Sequence, residues 1–483
     1  MTVSLTPYWD TADTIIAEFE HEGHKAYFIN TILSYVQSLH DILHLWRILV
    51  VTNQVGDLSS LSLQSLYPLS PHQSAILADI TAALSCRQSL LSQDNHSEAS
   101  DSTWQKYHLL LGKPGTGKSQ VLIRAIDYAI RHELSVLVAA PVALLAQGYN
   151  SIFYEDVTTD THGAFSIPID GPLPNEINHR INHYDMIVVD EESMISSPIF
   201  GVMASTFNRM NLRPVVVLAG DKCQQQPLQT VNGRITSTTS IINDNATFSS
   251  NNAVIHRLHQ QFRIVDAEYA AFLDLIHFIR PTQEQVDKMQ DGIGLCPEGQ
   301  LTDRQIWTAF QSHPNSTVMT VSRKGAQRIN TIVVSQLFQG RHLTNIPCAC
   351  VVDSQPIYPH RNMRVIFMEN CDKAACVVNG QQATIISQNN TIILCLPEGQ
   401  QVFVYPVTHI EDDVPVTCYP FTPAYAQTII KAQGQNIQHL IIWLDSALVP
   451  AGTAYVGLSR VRRKSAISLL QPIYADQLTP VQL

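Results

Sequence analysis

The sequence predicts an α/β protein built on a doubly wound parallel sheet. Short apolar runs at 107–111, 134–140, 186–189 and 215–219 each have the length and uniform hydrophobicity of a buried parallel strand. Helical patterns lie between several of them, and the first run leads straight into a glycine-rich loop that opens a helix. At 483 residues the chain is too long for one ordinary core, so two to four domains are expected. Hydrophobic residues at 45% and charged residues at 15% describe a soluble globular protein and exclude a mainly disordered chain.

Taken in order, residues from about 10 to 55 read as helical, with Ile29, Ile32, Leu33, Val36 and Leu39 at three-to-four spacing and no visible chemistry. The opening MTVSLTPYWDTADTIIAEFE is acidic and lacks a charged-then-apolar signal layout. The most apolar long stretch, 134–146, is broken by Pro141 and is too short to span a bilayer. An intracellular protein, nuclear or cytoplasmic and with no membrane partner, is expected. A polar loop at 92–103 separates a helix near 73–85 from the first strand.

Between about 361 and 407 the character changes. RVIFME, AACVV, QATIIS, TIILCL and QVFVYPV are short strands separated by turn signals, among them the Asn379-Gly380 hairpin turn. This reads as a small all-β module inserted into a second α/β domain, of which one piece contains 317–321 and the other runs from about 420 to the end. The nine cysteines, scattered from Cys86 to Cys418, suit a reducing compartment. Cys348, Cys350, Cys371 and Cys376 match no standard zinc spacing and are expected to be buried thiols. A net charge of −11 is the wrong sign for a protein that coats nucleic acid, though not for one that grips a few phosphates in a locally basic channel.

The strongest chemical signal is Gly112-Lys-Pro114-Gly115-Thr116-Gly117-Lys118-Ser119, a phosphate-binding loop between a strand and a helix whose apolar face is Val121, Leu122, Ala125, Ile126 and Ala129. Its glycines let backbone N–H groups close around a phosphate at a helix N-terminus. Lys118 is expected to reach the β- and γ-phosphates of ATP, and the Ser119 hydroxyl to bind Mg²⁺. Met186-Ile-Val-Val-Asp190-Glu191 is a strand ending in carboxylates: Asp190 for the metal through water, Glu191 to orient and deprotonate the attacking water. A third strand ends in Asp221-Lys-Cys-Gln224, where a glutamine can touch both the γ-phosphate and that water. Arg263, in HQQFR, and Arg460, in YVGLSR, are candidates for the cations that a γ-phosphate transition state needs from outside the loop, each worth roughly 10³–10⁵ in rate.

Together these residues resemble the superfamily 1 helicases of the RecD/Pif-one type, in order from about Leu69 to Lys464. Leu69-Ser-Pro-His-Gln73 resembles the adenine-reading glutamine motif, and Thr161-His162-Gly-Ala-Phe165 a slightly shortened Thr-x-His-Ser-Phe signature. Val377-Val-Asn-Gly380 resembles the turn of an inserted SH3-like barrel, and Thr428-Ile-Ile-Lys431-Ala-Gln433-Gly434 the Thr-x-His-Lys-Ser-Gln-Gly motif. The resemblance implies two RecA-like P-loop domains with parallel sheets and ATP between them. Single-stranded DNA would lie across their tops, with movement 5′ to 3′.

It implies catalytic roles for Lys118, Glu191, Gln224, Arg263 and Arg460, and an adenine contact for Gln73. His162, Phe165 and Thr428 are the nucleic-acid candidates, the aromatic ones through base stacking worth roughly 1–3 kcal/mol per base. Domains are expected at 1–64 (helical, accessory), 65–245 (first RecA-like), 246–315 (helical connector with the QFR motif), 316–345 with 420–483 (second RecA-like), and 346–419 (SH3-like β insertion). Expected partners are single-stranded DNA and duplex junctions, with replication or recombination proteins. Val142, Ile430, Gln225 and Gln226 depart from the family pattern and bear on DNA grip and coupling. Two other functions fit part of the pattern: a superfamily 1 RNA helicase of viral type, and a P-loop switch or scaffold without motor activity.

Overall fold

The structure, a computed structural model, describes residues 68–91, then 107–160 apart from 142 and 154–157, then 184–237 apart from 197–198, 202, 204–213, 225–227 and 232–233. It further describes 253–481 apart from 295–298, 341, 351–353, 372–376, 388–391, 398, 412–413 and 434–436. The helical region expected at 1–64 lies outside the described residues. The chain divides into two compact units. One comprises Met1–Pro68 with Gly148–Val157, and the other, Leu69–Gln147 with Thr158–Leu483, contains every strand described below.

Helix α1 (Pro71–Leu91) precedes the first sheet and extends the helix read near 73–85 by two residues at its start and six at its end. Then come β1 (Tyr107–Gly112), α2 (Lys118–Arg131), β2 (Val136–Ala140), α3 (Ala143–Phe153), β3 (Thr158–Asp160), β4 (Met186–Val189) and β5 (Val215–Gly220). A hairpin, β6 (Leu228–Val231) and β7 (Arg234–Ser237), precedes β8 (Ala253–Leu258). The strands align in the order β3-β2-β4-β5-β1-β8, parallel at every pairing. Strands β2, β4 and β5 are buried at every position because both of their faces are apolar. The α2 face Val121, Leu122, Ala125, Ile126 and Ala129 is buried as its spacing requires.

The segment 253–258, expected inside a helical connector, is instead the edge strand β8 beside β1. Its sequence AVIHRL alternates in exposure, as an edge strand does, and carries no continuous apolar run. After it, α4 (Ala267–Phe278), α5 (Gln283–Gln290) and α6 (Asp303–Ser312) lead to β9 (Thr317–Thr320) and α7 (Arg323–Leu337). Asp266, Thr282, Thr302 and Ser322 cap these four helices, each accepting a backbone N–H from the first turn.

The inserted β module is antiparallel: β10 (Arg364–Phe367), β11 (Gln382–Ile385), β12 (Ile393–Cys395), β13 (Gln401–Phe403) and β16 (Phe421–Pro423), in the order β13-β12-β11-β10-β16. A ribbon of β14 (Val407–Glu411) and β15 (Val414–Cys418) extends it. Gly380, at φ 92°, makes the Asn-Gly turn that only a residue without Cβ adopts freely. The chain then returns as β17 (Ala426–Thr428), β18 (Leu440–Trp443), α8 (Thr453–Leu458) and β19 (Ile467–Leu469).

Strands β17-β9-β18-β19 form a second parallel sheet. Val318 and Ile441, paired across it, pack with Ile329 and Val333 of α7. Met319 and Ile442, the next pair, share a core with Tyr269 and Leu273 of α4 and Val456 of α8. Among the cysteines expected to be buried, Cys348 is, whereas Cys350 and Cys371 are exposed, and Cys376 lies outside the described residues. Among the described residues, no helix is long and apolar enough to cross a membrane.

Candidate functional site

The phosphate loop follows β1 and ends at the first turn of α2. Gly115 and Gly117 have φ of 84° and 82°, left-handed values that turn the loop back over the helix start. Lys118 is buried, and its Nζ donates to the carbonyls of Gly112 at 2.7 Å and Lys113 at 3.3 Å, so the ammonium sits at the loop's centre. Thr116 Oγ1 also donates to Lys113 O at 2.9 Å, and Ser119 is exposed beside them on α2. Gln73 is buried against the loop: its Nε2 donates to Thr116 O at 3.0 Å and its Oε1 accepts Ser70 N–H at 2.9 Å. Pro114 O accepts from Gln261 Nε2 at 2.7 Å.

The carboxylates stand at the end of β4. Asp190 Oδ1 accepts the Glu191 N–H at 2.9 Å, and Glu191 has φ 52°, a left-handed conformation that costs a non-glycine residue of order 1–3 kcal/mol. Glu192 is fully buried, and among the described residues neither carboxylate oxygen has a hydrogen-bond partner. Burial, then Glu191 and Asp221, hold its carboxyl well above the usual carboxylate range against the pull of Lys118. It lies over Gly220, where any Cβ would collide with its Oε1. Gln224 is buried after β5, held by its N–H to Asp221 O at 3.0 Å, with its Oε1 unpartnered among the described residues.

Residues from the second sheet's side converge on this group. Gln433 Nε2 lies 3.3 Å from Glu191 Oε2. Arg460, 2% exposed, donates from Nε to Val456 O at 2.8 Å and from a terminal nitrogen to Ser459 Oγ at 3.0 Å. Burial lowers its pKa, and Glu191 is the first charge that opposes this. Arg263 reaches Ser459 O at 3.3 Å, and burial, then Arg460, push it down to about 10. Among the described residues neither arginine forms a salt bridge, so two poorly compensated guanidinium groups face a carboxylate cluster and a phosphate loop. Such a site favours an anion between them.

Residues 92–250 match the family described as AAA domain. No curated protein sequence matches the chain. Three solved structures align over most of it. A Pif1 helicase from work on forked double-stranded DNA unwound by two coordinating Pif1 helicases is 19% identical, over 86% of this chain and 95% of that one, with a TM-score of 0.59. Pif1 helicase from Candida albicans is 16% identical over 86% and 98%, at 0.58. Bacteroides Pif1 bound to single-stranded DNA is 18% identical over 83% and 94%, at 0.55. The chain has the fold of the Pif1 helicases.

Within this Pif1 fold, Thr428 ends β17 and is half-buried. Lys431, three residues on, is pushed down to about 8 by burial and then by Arg323. His162 and Phe165 lie outside the described residues, as do Val142, Gln225 and Gln226; Ile430 is half-buried in a short turn of helix after β17. The structure therefore brings together Gln73, Lys118, Asp190, Glu191, Gln224, Arg263 and Arg460, and leaves the nucleic-acid candidates represented by Thr428. Sequence reading gave no role to Gln261, Gln433, Asp274 or His277. Gln433 and Gln261 stand within quoted motifs, whereas Asp274 and His277 carry no local signal and are found only through contacts 161 and 56 residues away.

Proposed function

We propose that this chain is a superfamily 1B helicase that hydrolyses ATP to move along single-stranded DNA, 5′ to 3′, and unwinds duplexes ahead of it. The observation that carries the reading is the convergence of Arg263, Arg460 and Gln433 on Glu191 beside the phosphate loop. A switch or scaffold has no need of charge from a second parallel sheet at this point. On this reading ATP lies between two RecA-like domains, the first within 65–245 together with β8, the second in 316–345 and 420–483 apart from β16, which pairs with β10 of the SH3-like insertion at 346–419.

Lys118 would leave its carbonyl partners for the β- and γ-phosphates. Glu191 would accept the proton of the attacking water and Gln224 would orient it. Arg263 and Arg460 would stabilise charge developing on the transferred phosphoryl group. Ser119 and Asp190, hard oxygen donors at the loop, fit Mg²⁺, which would neutralise phosphate charge. Gln73, already seated on the loop, would report adenine binding to it. Thr428 and Lys431, with His162 and Phe165, would form the DNA track, as single-stranded DNA bound to Bacteroides Pif1 suggests.

The test is ATP hydrolysis with Mg²⁺, with and without single-stranded DNA or RNA, with Lys118→Ala as control. Stimulation by DNA and a loss of at least about 10³-fold in the variant are expected. Stimulation by RNA alone would favour an RNA helicase, and hydrolysis indifferent to both would overturn the motor reading. Tailed duplexes then test polarity, and strict 3′-to-5′ movement would contradict the 5′-to-3′ assignment.

A further inference from the structure

Helix α4 touches the nucleotide site at three points. Asp274 Oδ1 pairs with Lys113 Nζ of the phosphate loop at 2.6 Å. Tyr269 OH donates to Leu458 O at 2.6 Å, two residues before Arg460. His277 Nε2 lies 2.9 and 3.1 Å from the two carboxylate oxygens of Asp221, the residue that opens the loop carrying Gln224. Asp221 and His277 are both buried, so this contact is shielded from water and salt.

A buried carboxylate must be met by donors. Asp221 receives the Cys223 N–H at 3.1 Å, the His277 Nε2 proton, and at longer range the Tyr455 hydroxyl, 3.5 Å away. Tyr455 lies on α8, the helix that ends just before Arg460, and its ring packs against His277 at 4.8 Å. The other imidazole nitrogen, Nδ1, is buried with no partner among the described residues, and a carboxylate, which only accepts, calls for a proton on the Nε2 that faces it. One imidazole thus ties the Gln224 loop of the first sheet to α8, the helix that leads into Arg460.

Cys223 Sγ, Asp221 and His277 lie close enough to hold a metal ion, with ligand atoms within 4.8 Å of one another. Burial pushes the Cys223 thiol up to about 12, however, and the carboxylate's partners are already supplied by the protein. The geometry points to a clamp and not to a metal centre.

We infer that His277 is a positioning residue for ATP hydrolysis: through Asp221 it fixes the Gln224 loop in register with the helix that delivers Arg460. This inference rests on the proposed ATPase reading. The clamp acts on the arrangement around the γ-phosphate and leaves the adenine and β-phosphate contacts alone.

The experiment compares wild type with His277→Ala and His277→Gln, the latter able to place an N–H where Nε2 stood. His277→Ala is expected to lower kcat of DNA-stimulated hydrolysis by about tenfold or more, with KM for ATP changed by less than about threefold. It should bind ADP as wild type does but bind ADP with aluminium fluoride at least about tenfold more weakly. His277→Gln should recover most of kcat. Equal losses in ADP affinity, analogue affinity and thermal stability, unrecovered by glutamine, would reduce His277 to a packing residue and overturn the inference. One equivalent of zinc in wild type, lost in His277→Ala, would overturn it in favour of a metal site. If wild type hydrolyses ATP and His277→Ala matches it, the inference alone fails; a wild type with no Lys118-dependent hydrolysis fails the functional reading itself.

Discussion

His108 on β1 and His256 on β8 meet inside the first sheet, Nδ1 to Nε2 at 3.1 Å with their rings stacked. Burial, then its neighbour, pushes His108 down to about 4; burial also lowers His256, with Asp79 opposing. The unfolded chain takes up these protons near pH 6.5 while the folded chain resists them. Stability is therefore intact above pH 6.5 and is lost as pH falls toward about 4. His108→Asn, whose carboxamide reaches the Nδ1 position without ionising, is expected to flatten the fall in Tm between those values. A fall as steep as wild type would show that the pair does not govern it. At this scale the sequence was legible where chemistry is written in a contiguous string, as at 112–119 and 190–191. It was silent on the pairing of His277 with Asp221, 56 residues away, because a partner chosen by folding leaves no local spacing.

Strand β17 shows how elements are held by single side chains. Asn330 of α7 accepts the N–H groups of Tyr425 and Ala426 through Oδ1, at 3.1 and 2.8 Å, and donates from Nδ2 to Ala426 O at 3.1 Å. Asn330→Ala would leave buried backbone groups unpaired beside a cavity and is expected to cost about 2–4 kcal/mol. Denaturant unfolding would measure this, and a loss under about 0.5 kcal/mol would mean water substitutes for the carboxamide. Central strands β2, β4 and β5 could be read from sequence because both of their faces are apolar. Edge strands could not: AQT of β17, TTD of β3 and AVIHRL of β8 are short or mixed and owe their conformation to neighbours.

The two parallel sheets were each foreseen, and their meeting at the phosphate loop carries a consequence for the molecule as a unit. If Arg263 and Arg460 engage only a γ-phosphate-like group, ADP with aluminium fluoride should raise Tm above the shift given by ADP alone at equal saturation. Arg460→Ala should abolish the excess and keep the ADP shift; an excess that survives the substitution would place the link elsewhere. Arg460→Lys is not expected to restore it. The guanidinium spends separate donors on Val456 O and Ser459 Oγ while facing the site, a fork that an ammonium cannot reproduce.

The contact between Glu192 and Gly220 makes two distant positions share one space. A side chain at 220 is forbidden by the carboxyl above it and not by the backbone, since 220 is absent from the positive-φ glycines. Shortening Glu192 would open room for alanine at 220, so a substitution ruinous in this chain becomes tolerable in a relative that carries a small residue at 192. The history of such a sequence then depends on the order in which its changes arrive.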